Sequence, residues 1–121
     1  MDPFVKNILI VLNDPPYGTE RSYNGLRLAV SLASRPGTKV RLFLIGDAAA
    51  CGKAGQHVPE GYYNIEQMLS TVAAKGAEIG VCGSCLDARG IGEEELTAGA
   101  QRSNLGELTT WAIEADSVIT F

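Results

Sequence analysis

Aliphatic runs that stop at turn signals and then give way to helical spacing constrain this chain more than any other feature. The first, Lys6-Asn7-Ile8-Leu9-Ile10-Val11-Leu12-Asn13, shows no polar alternation and ends at Asp14-Pro15-Pro16-Tyr17-Gly18. A strand that is apolar on both faces must be covered on both, which is the situation of a parallel sheet between helices. Tyr23, Leu26, Val30 and Ala33 then recur at helical spacing until Pro36-Gly37. A second run, Lys39 to Ile45, stops at Gly46-Asp47, and a third spans Ala77 to Cys82.

The connecting segments fit the same plan. Ala48 to Gly55 reads as a short small-residue helix, and Gln56 to Tyr63, with Pro59 and Gly61, as a loop. Asn64 with Gln67 three positions on is a helix start of the capping-box type, and Lys75-Gly76 a stop. Glu93-Glu94-Glu95 opens a short helix with acidic residues in its first turn. Thr97 to Arg102 is ambiguous and reads as a short fourth strand. Asn104 or Ser103 caps a helix marked by Leu105, Leu108, Trp111, Ala112 and Ala115, and Ser117 to Phe121 closes as a strand. This alternation predicts an α/β fold, a three-layer α/β/α arrangement with a mostly parallel sheet of about five strands. One domain over 1–121 is expected, with Met1 to Phe4 read as a non-native addition ahead of a native start.

Composition narrows the function. The 121 residues are 45% hydrophobic and 20% charged, with ten basic against fourteen acidic side chains and a net charge of −4. No basic patch points to nucleic acid. No apolar stretch approaches the roughly 20 residues of a membrane span, and the first residues lack the pattern of a signal peptide. Three cysteines, two of them too close in sequence to staple distant segments, suggest a reducing, cytoplasmic setting. The loop after the first run has neither a dinucleotide nor a triphosphate fingerprint, and His57 is the one histidine, so nicotinamide chemistry and triad hydrolysis are set aside. No cofactor is expected.

Functional loops in parallel sheets gather beyond the carboxyl ends of the strands. Three leave those ends here: Asp14 to Thr19, Asp47 to Cys51, and Cys82 to Ile91, which reads C-G-S-C-L-D-A-R-G-I. Paired cysteines at C-x-x-C spacing exchange electrons, hold sulfur or hold metal, or else pack as small apolar residues. A backbone bend at Cys82 would aim N–H groups at its sulfur, and with Arg89 near in sequence the thiolate would be favoured as a nucleophile.

At this loop the sequence resembles the DsrE/DsrF-like family of small sulfur-handling proteins. The resemblance also takes in R-S-Y-N-G-L-R-L-A at Arg21 to Ala29, G-Y-Y-N-I-E-Q-M-L at Gly61 to Leu69 and A-D-S-V-I-T-F at Ala115 to Phe121. Its most specific element is Cys82 seven residues before Arg89-Gly90. The resemblance implies an α/β protein that assembles as a homo- or hetero-oligomer and exchanges sulfur, as a cysteine persulfide, with donor and acceptor proteins. Cys82 would bear the sulfur. Cys85 is outside the family's minimal relay pattern; it would resolve a persulfide, releasing sulfide and leaving a disulfide.

Three functions follow: a sulfurtransferase-like persulfide carrier on Cys82, with Cys85 and Arg89 assisting; a thiol–disulfide redox protein using Cys82 and Cys85; or a non-catalytic oligomeric binding subunit. Thioredoxin-like proteins start a long helix with C-x-x-C after an early strand, whereas here a loop after the third strand is expected. Cys51, His57, Cys82 and Cys85 have the ligand types of a zinc site, but only one closely spaced pair exists. Cys51 reads as a packed small residue and His57 as a solvated loop residue. Asp14 and Asp47 read as cap or turn residues. Asp87 reads as a turn residue rather than an orienter of Arg89, and Tyr62 and Tyr63 as loop anchors. For Arg89, a structural ion pair and thiolate stabilisation weigh equally.

Overall fold

The computed structural model describes residues 4–121, so the reading of Met1 to Phe4 as a non-native addition lies almost wholly outside the described residues; Phe4 itself is exposed. The first aliphatic run forms strand β1 (Lys6–Leu12), followed by helix α1 (Arg21–Ala33) and strand β2 (Thr38–Leu44). The short small-residue helix expected at Ala48 to Gly55 forms as a 3-10 helix over Gly46–Gly52, shifted toward the N-terminus. Ala48, Ala49 and Cys51 are drawn into the core there, and burial of so short a segment settles its shape more than helix propensity does.

Helix α2 (Ile65–Ala74) starts where the Asn64 side chain accepts the Gln67 N–H at 3.0 Å. It ends at Lys75, ahead of Gly76 with φ +98°. Strand β3 (Glu78–Cys82) leads directly into helix α3 (Gly83–Ala88), and Glu93–Glu95 forms one 3-10 turn. The ambiguous segment supplies strand β4 (Ala100–Ser103). Helix α4 (Leu105–Glu114) is capped by Asn104, whose side chain accepts the Glu107 N–H at 2.9 Å, and strand β5 (Ser117–Thr120) follows.

The five strands lie in the order β4-β3-β2-β1-β5, and every pair is parallel. The three-layer α/β/α arrangement expected from the pattern is therefore the observed one. Strand alternation divides the side chains between two cores. Ile8, Ile10 and Leu12 of β1 and Leu42 and Leu44 of β2 share one cluster with Leu26 of α1, Leu69 of α2 and Leu86 of α3. Helix α1 comes close enough that a Cβ on Gly25 would stand 2.5 Å from a Leu12 methyl. The intervening residues, Leu9 and Phe43, point the other way and meet Trp111 of α4, edge-on to Phe43 at 6.3 Å between ring centres.

The second core is thinner because one helix alone covers it. The chain steps from β1 through β4 in one direction, and α4 then carries it back to the far edge. Trp111 is the one buried residue of α4, while Leu105 and Ile113, like Val118 of β5, stand exposed. Arg41 closes part of this face, stacking over Trp111 at 5.3 Å and pairing with Glu78 and Glu114.

Candidate functional site

Cys82 is the last residue of β3 and the first flanking residue of α3. The expected loop is thus a helix from its first turn, and the C-x-x-C motif opens that helix. Six residues, with Leu86 the one large side chain fully buried, are too few to show helical periodicity in sequence. The end of α3 explains the Arg-Gly pair. Arg89 is its C-cap, Gly90 takes φ +66°, the Gly90 N–H bonds to the Asp87 carbonyl, and the Ile91 N–H bonds back to the Leu86 carbonyl at 3.0 Å. This is a glycine-terminated helix stop in which a side chain at position 90 would be strained.

The two thiols divide between the two cores. Cys82 packs against the small cluster of Leu9, Phe43 and Trp111, and Cys85 against the larger cluster. Both are half-buried and free. Burial opposes ionisation of Cys82, but the Cys85 thiol, the Ser84 hydroxyl and the adjacent N–H groups of Cys85 and Ser84 outweigh it and hold its pKa below that of an ordinary thiol. The Ser84 hydroxyl is 3.4 Å from the sulfur. Cys85 moves the other way. Burial and the neighbouring Cys82 raise it, against the Gly46 N–H, which donates to its Sγ at 3.2 Å, and the Arg89 charge. One thiol is therefore the better nucleophile and the other the better proton holder.

Arg89 reaches the Asp47 carboxylate at 2.6 Å and the Cys85 carbonyl at 3.1 Å. It ties α3 to the 3-10 helix after β2, and its charge acts on Cys85 through space; the lowered pKa of Cys82, the thiol that the sequence reading set beside Arg89, comes instead from Cys85, Ser84 and their N–H groups. Asp47 is thus a salt-bridge partner as well as a turn residue. Asp87 is not a simple turn residue either: it lies within α3 and receives both terminal nitrogens of Arg102, at 2.8 and 2.9 Å. Asp14 plays the expected turn role, accepting from Thr19 at 2.8 Å.

Arg102 had no sequence signal, since it is one charge in a four-residue strand. Only the β3–β4 register, which sets Cys82 beside Ser103 and Val81 beside Arg102, brings it to the site. Its guanidinium lies over Gly83, where a Cβ would stand 2.8 Å from the central carbon. Together Cys82, Ser84, Arg102 and Asn104 form the polar side of a cavity of about 390 Å³. Its other wall is apolar: Phe43, Ile45, Leu105 and Leu108. This is the size and mixed lining of a small-molecule pocket.

Cys51 is elsewhere. It is fully buried, with its Sγ 3.6 Å from the Asp14 carbonyl, and burial pushes its pKa up to about 12. His57 is exposed in the long loop. Among the described residues no group of three or more His, Cys, Asp or Glu side chains could hold a metal ion, so Cys51, His57, Cys82 and Cys85 do not converge on one. Tyr62 and Tyr63 anchor the loop as expected: Tyr63 stacks on Tyr23 at 4.3 Å and on Tyr62 at 4.5 Å.

A family model described as the DsrE/DsrF-like family matches residues 6–121. The chain belongs to that family. It is 42% identical over 118 residues to the protein YchN of Escherichia coli strain K12, covering 97% of this chain and all of that one. It is 39% identical over 114 residues to the uncharacterized protein MK0008 of Methanopyrus kandleri, spanning 94% of this chain and 93% of the relative. The crystal structure of the Escherichia coli ychN protein superposes with a TM-score of 0.91, at 42% identity and with 97% and 100% of the two chains covered. A protein of unknown function, MTH1491 from Methanobacterium thermoautotrophicum, shares the fold at a TM-score of 0.76 and 12% identity, over 96% and 99% of the chains. The DsrE/DsrF-like family is generally associated with sulfur relay. No helix among the described residues is long and apolar enough to cross a membrane.

Proposed function

We propose that this DsrE/DsrF-like chain is a sulfurtransferase-like persulfide carrier with Cys82 as acceptor. The observation that carries the reading is a half-buried thiol of lowered pKa at the carboxyl end of β3, opening on the cavity shared with Ser84 and Arg102. In the reaction, the Cys82 thiolate attacks the outer sulfur of a donor persulfide. A Cys82 S–S bond forms, the donor S–S bond breaks, and the donor leaves as its thiolate. Attack on the outer sulfur by an acceptor thiolate passes it on. Attack by Cys85 on the inner sulfur instead expels hydrosulfide and leaves a Cys82–Cys85 disulfide, which a dithiol reductant must reopen.

The place of C-x-x-C at the start of α3 supports a second reading, thiol–disulfide exchange by the same pair. One experiment separates them. After incubation with inorganic hydropolysulfide, the intact mass of Cys85→Ser, which lacks the resolving thiol, is expected to rise by one sulfur atom, and that of Cys82→Ser is not. Loading of Cys82→Ser but not Cys85→Ser would overturn the assignment. Failure of Cys85→Ser to gain sulfur, together with a wild-type disulfide whose potential lies near the cytosolic poise, would favour the redox reading. The carrier reading includes a cytoplasmic setting, donor and acceptor proteins, and assembly with further copies. The exposed Leu105, Ile113 and Val118 beside the thin core support assembly, and sedimentation of the purified chain tests it.

A further inference from the structure

Arg102 is a cation lining the Cys82 cavity, and the carrier chemistry leaves it unused. Arg89 is held on the other side of α3 by Asp47 and the Cys85 carbonyl. The Arg102 fork is engaged two-pronged with Asp87, the geometry in which a guanidinium holds any group with two coplanar oxygens. Both partners are substantially exposed, with side-chain accessibilities of 38% and 65%, and an ion pair of that exposure contributes little stability. An incoming oxyanion can therefore replace Asp87 at small cost. The opposite wall, Phe43, Ile45, Leu105 and Leu108, offers an apolar surface too large for an inorganic ion to use.

We propose that the cavity selects a small organic donor whose transferable sulfur is bonded to an oxyacid group, the thiosulfonate class, and that Arg102 holds its oxygens in exchange for Asp87. This rests on the sulfur-transfer reading of Cys82. The Cys82 thiolate attacks the terminal sulfur of R–SO2–S⁻. The new bond joins that sulfur to Cys82, the sulfur–sulfonyl bond breaks, and its electron pair leaves with the sulfinate R–SO2⁻. Charge and atoms balance without an outside oxidant or reductant. Thiolate and donor are both anionic, so a cation between them lowers their repulsion, and it gains most as charge concentrates on the departing sulfinate. Inorganic thiosulfate, which would leave as sulfite, shares the oxyanion chemistry but has nothing to place on the apolar wall.

The test follows sulfur gain by intact mass in the Cys85→Ser background, where no second thiol expels the sulfur, with three probes: benzenethiosulfonate, inorganic thiosulfate and hydropolysulfide, the last lacking oxygen. Arg102→Gln is expected to slow loading from benzenethiosulfonate by about tenfold or more, the size of a lost charge-assisted hydrogen bond. Arg102→Lys, which keeps the charge without the fork, should fall between. Gly83→Ala should slow it too, because the new methyl displaces the guanidinium. Asp87→Asn is expected to speed loading, since it frees Arg102. A purely structural ion pair predicts the opposite, that Asp87→Asn and Arg102→Gln act in the same direction, and that result overturns the proposal. So does an unchanged benzenethiosulfonate rate in Arg102→Gln. Equal rates with thiosulfate and benzenethiosulfonate would overturn the role of the apolar wall. Loading from hydropolysulfide, an anion with no oxygens for the fork to grip, should fall less in Arg102→Gln than loading from benzenethiosulfonate, and urea denaturation shows whether the Arg102 and Asp87 variants fold. If Cys82 takes sulfur from hydropolysulfide but not from benzenethiosulfonate, this inference alone fails; if it takes sulfur from neither, the carrier reading fails with it.

Discussion

The two faces of the sheet do different work with similar residues. The face under α1, α2 and α3 is sealed by long aliphatic side chains; it buries Cys51, a proton-retaining core residue, and carries half-buried Cys85, whose pKa is also raised. The face under α4 has a three-residue core of Leu9, Phe43 and Trp111, and its thin cover leaves the cavity into which Cys82 opens. Thiol chemistry here follows from coverage. Where packing is complete the charged form is penalised; where it is incomplete and N–H and O–H groups lie near, the thiolate is favoured.

The largest contrast to break is in reactivity. Iodoacetamide should modify Cys82 more than about a thousandfold faster than Cys51, whose exposure requires opening of the core. Peptide mass mapping over time checks this, and comparable rates would mean that the sealed face is not sealed. The pH dependence has a definite sign. Thiolate is lost as pH falls through the pKa, so Cys85, whose pKa is raised, should lose reactivity first and Cys82, whose pKa is lowered, last.

A smaller contrast lies in stability. Leu44→Ala removes a fully buried side chain from the sealed face and should cost about 2–5 kcal/mol in urea denaturation. Leu105→Ala, on an exposed residue of the other face, should stay within about 0.5 kcal/mol for the monomer. Similar losses would remove the distinction between the faces.

The smallest contrast concerns the helix caps. Asn64→Ala and Asn104→Ala each delete one capping hydrogen bond and should each cost about 1 kcal/mol. Asn104 also lines the cavity, so its loss should alter the alkylation rate of Cys82, whereas loss of Asn64 should not.

Much of this was legible in the residues. The aliphatic runs at 6–13 and 39–45 located β1 and β2 to within a residue at each end, because a strand buried on both faces leaves an unbroken signal. Asn64 marked the start of α2 through its capping chemistry. Helix α3 was not legible, since six residues carry too little periodicity to separate helix from loop. Arg102 was missed because it is twenty positions from Cys82 and acts through strand register, which local pattern does not encode.

By itself the sequence determined a parallel α/β sheet and the positions of most of its strands, because burial pattern is a local property, and its resemblance to the DsrE/DsrF-like family gave Cys82 its weight. Tertiary structure decided the rest. It placed Cys82 and Cys85 against opposite cores, withdrew Cys51, joined Arg89 to Asp47 and set Arg102 over Gly83. Each of these depends on which strands lie side by side and which face a helix covers, and only the folded sheet fixes that.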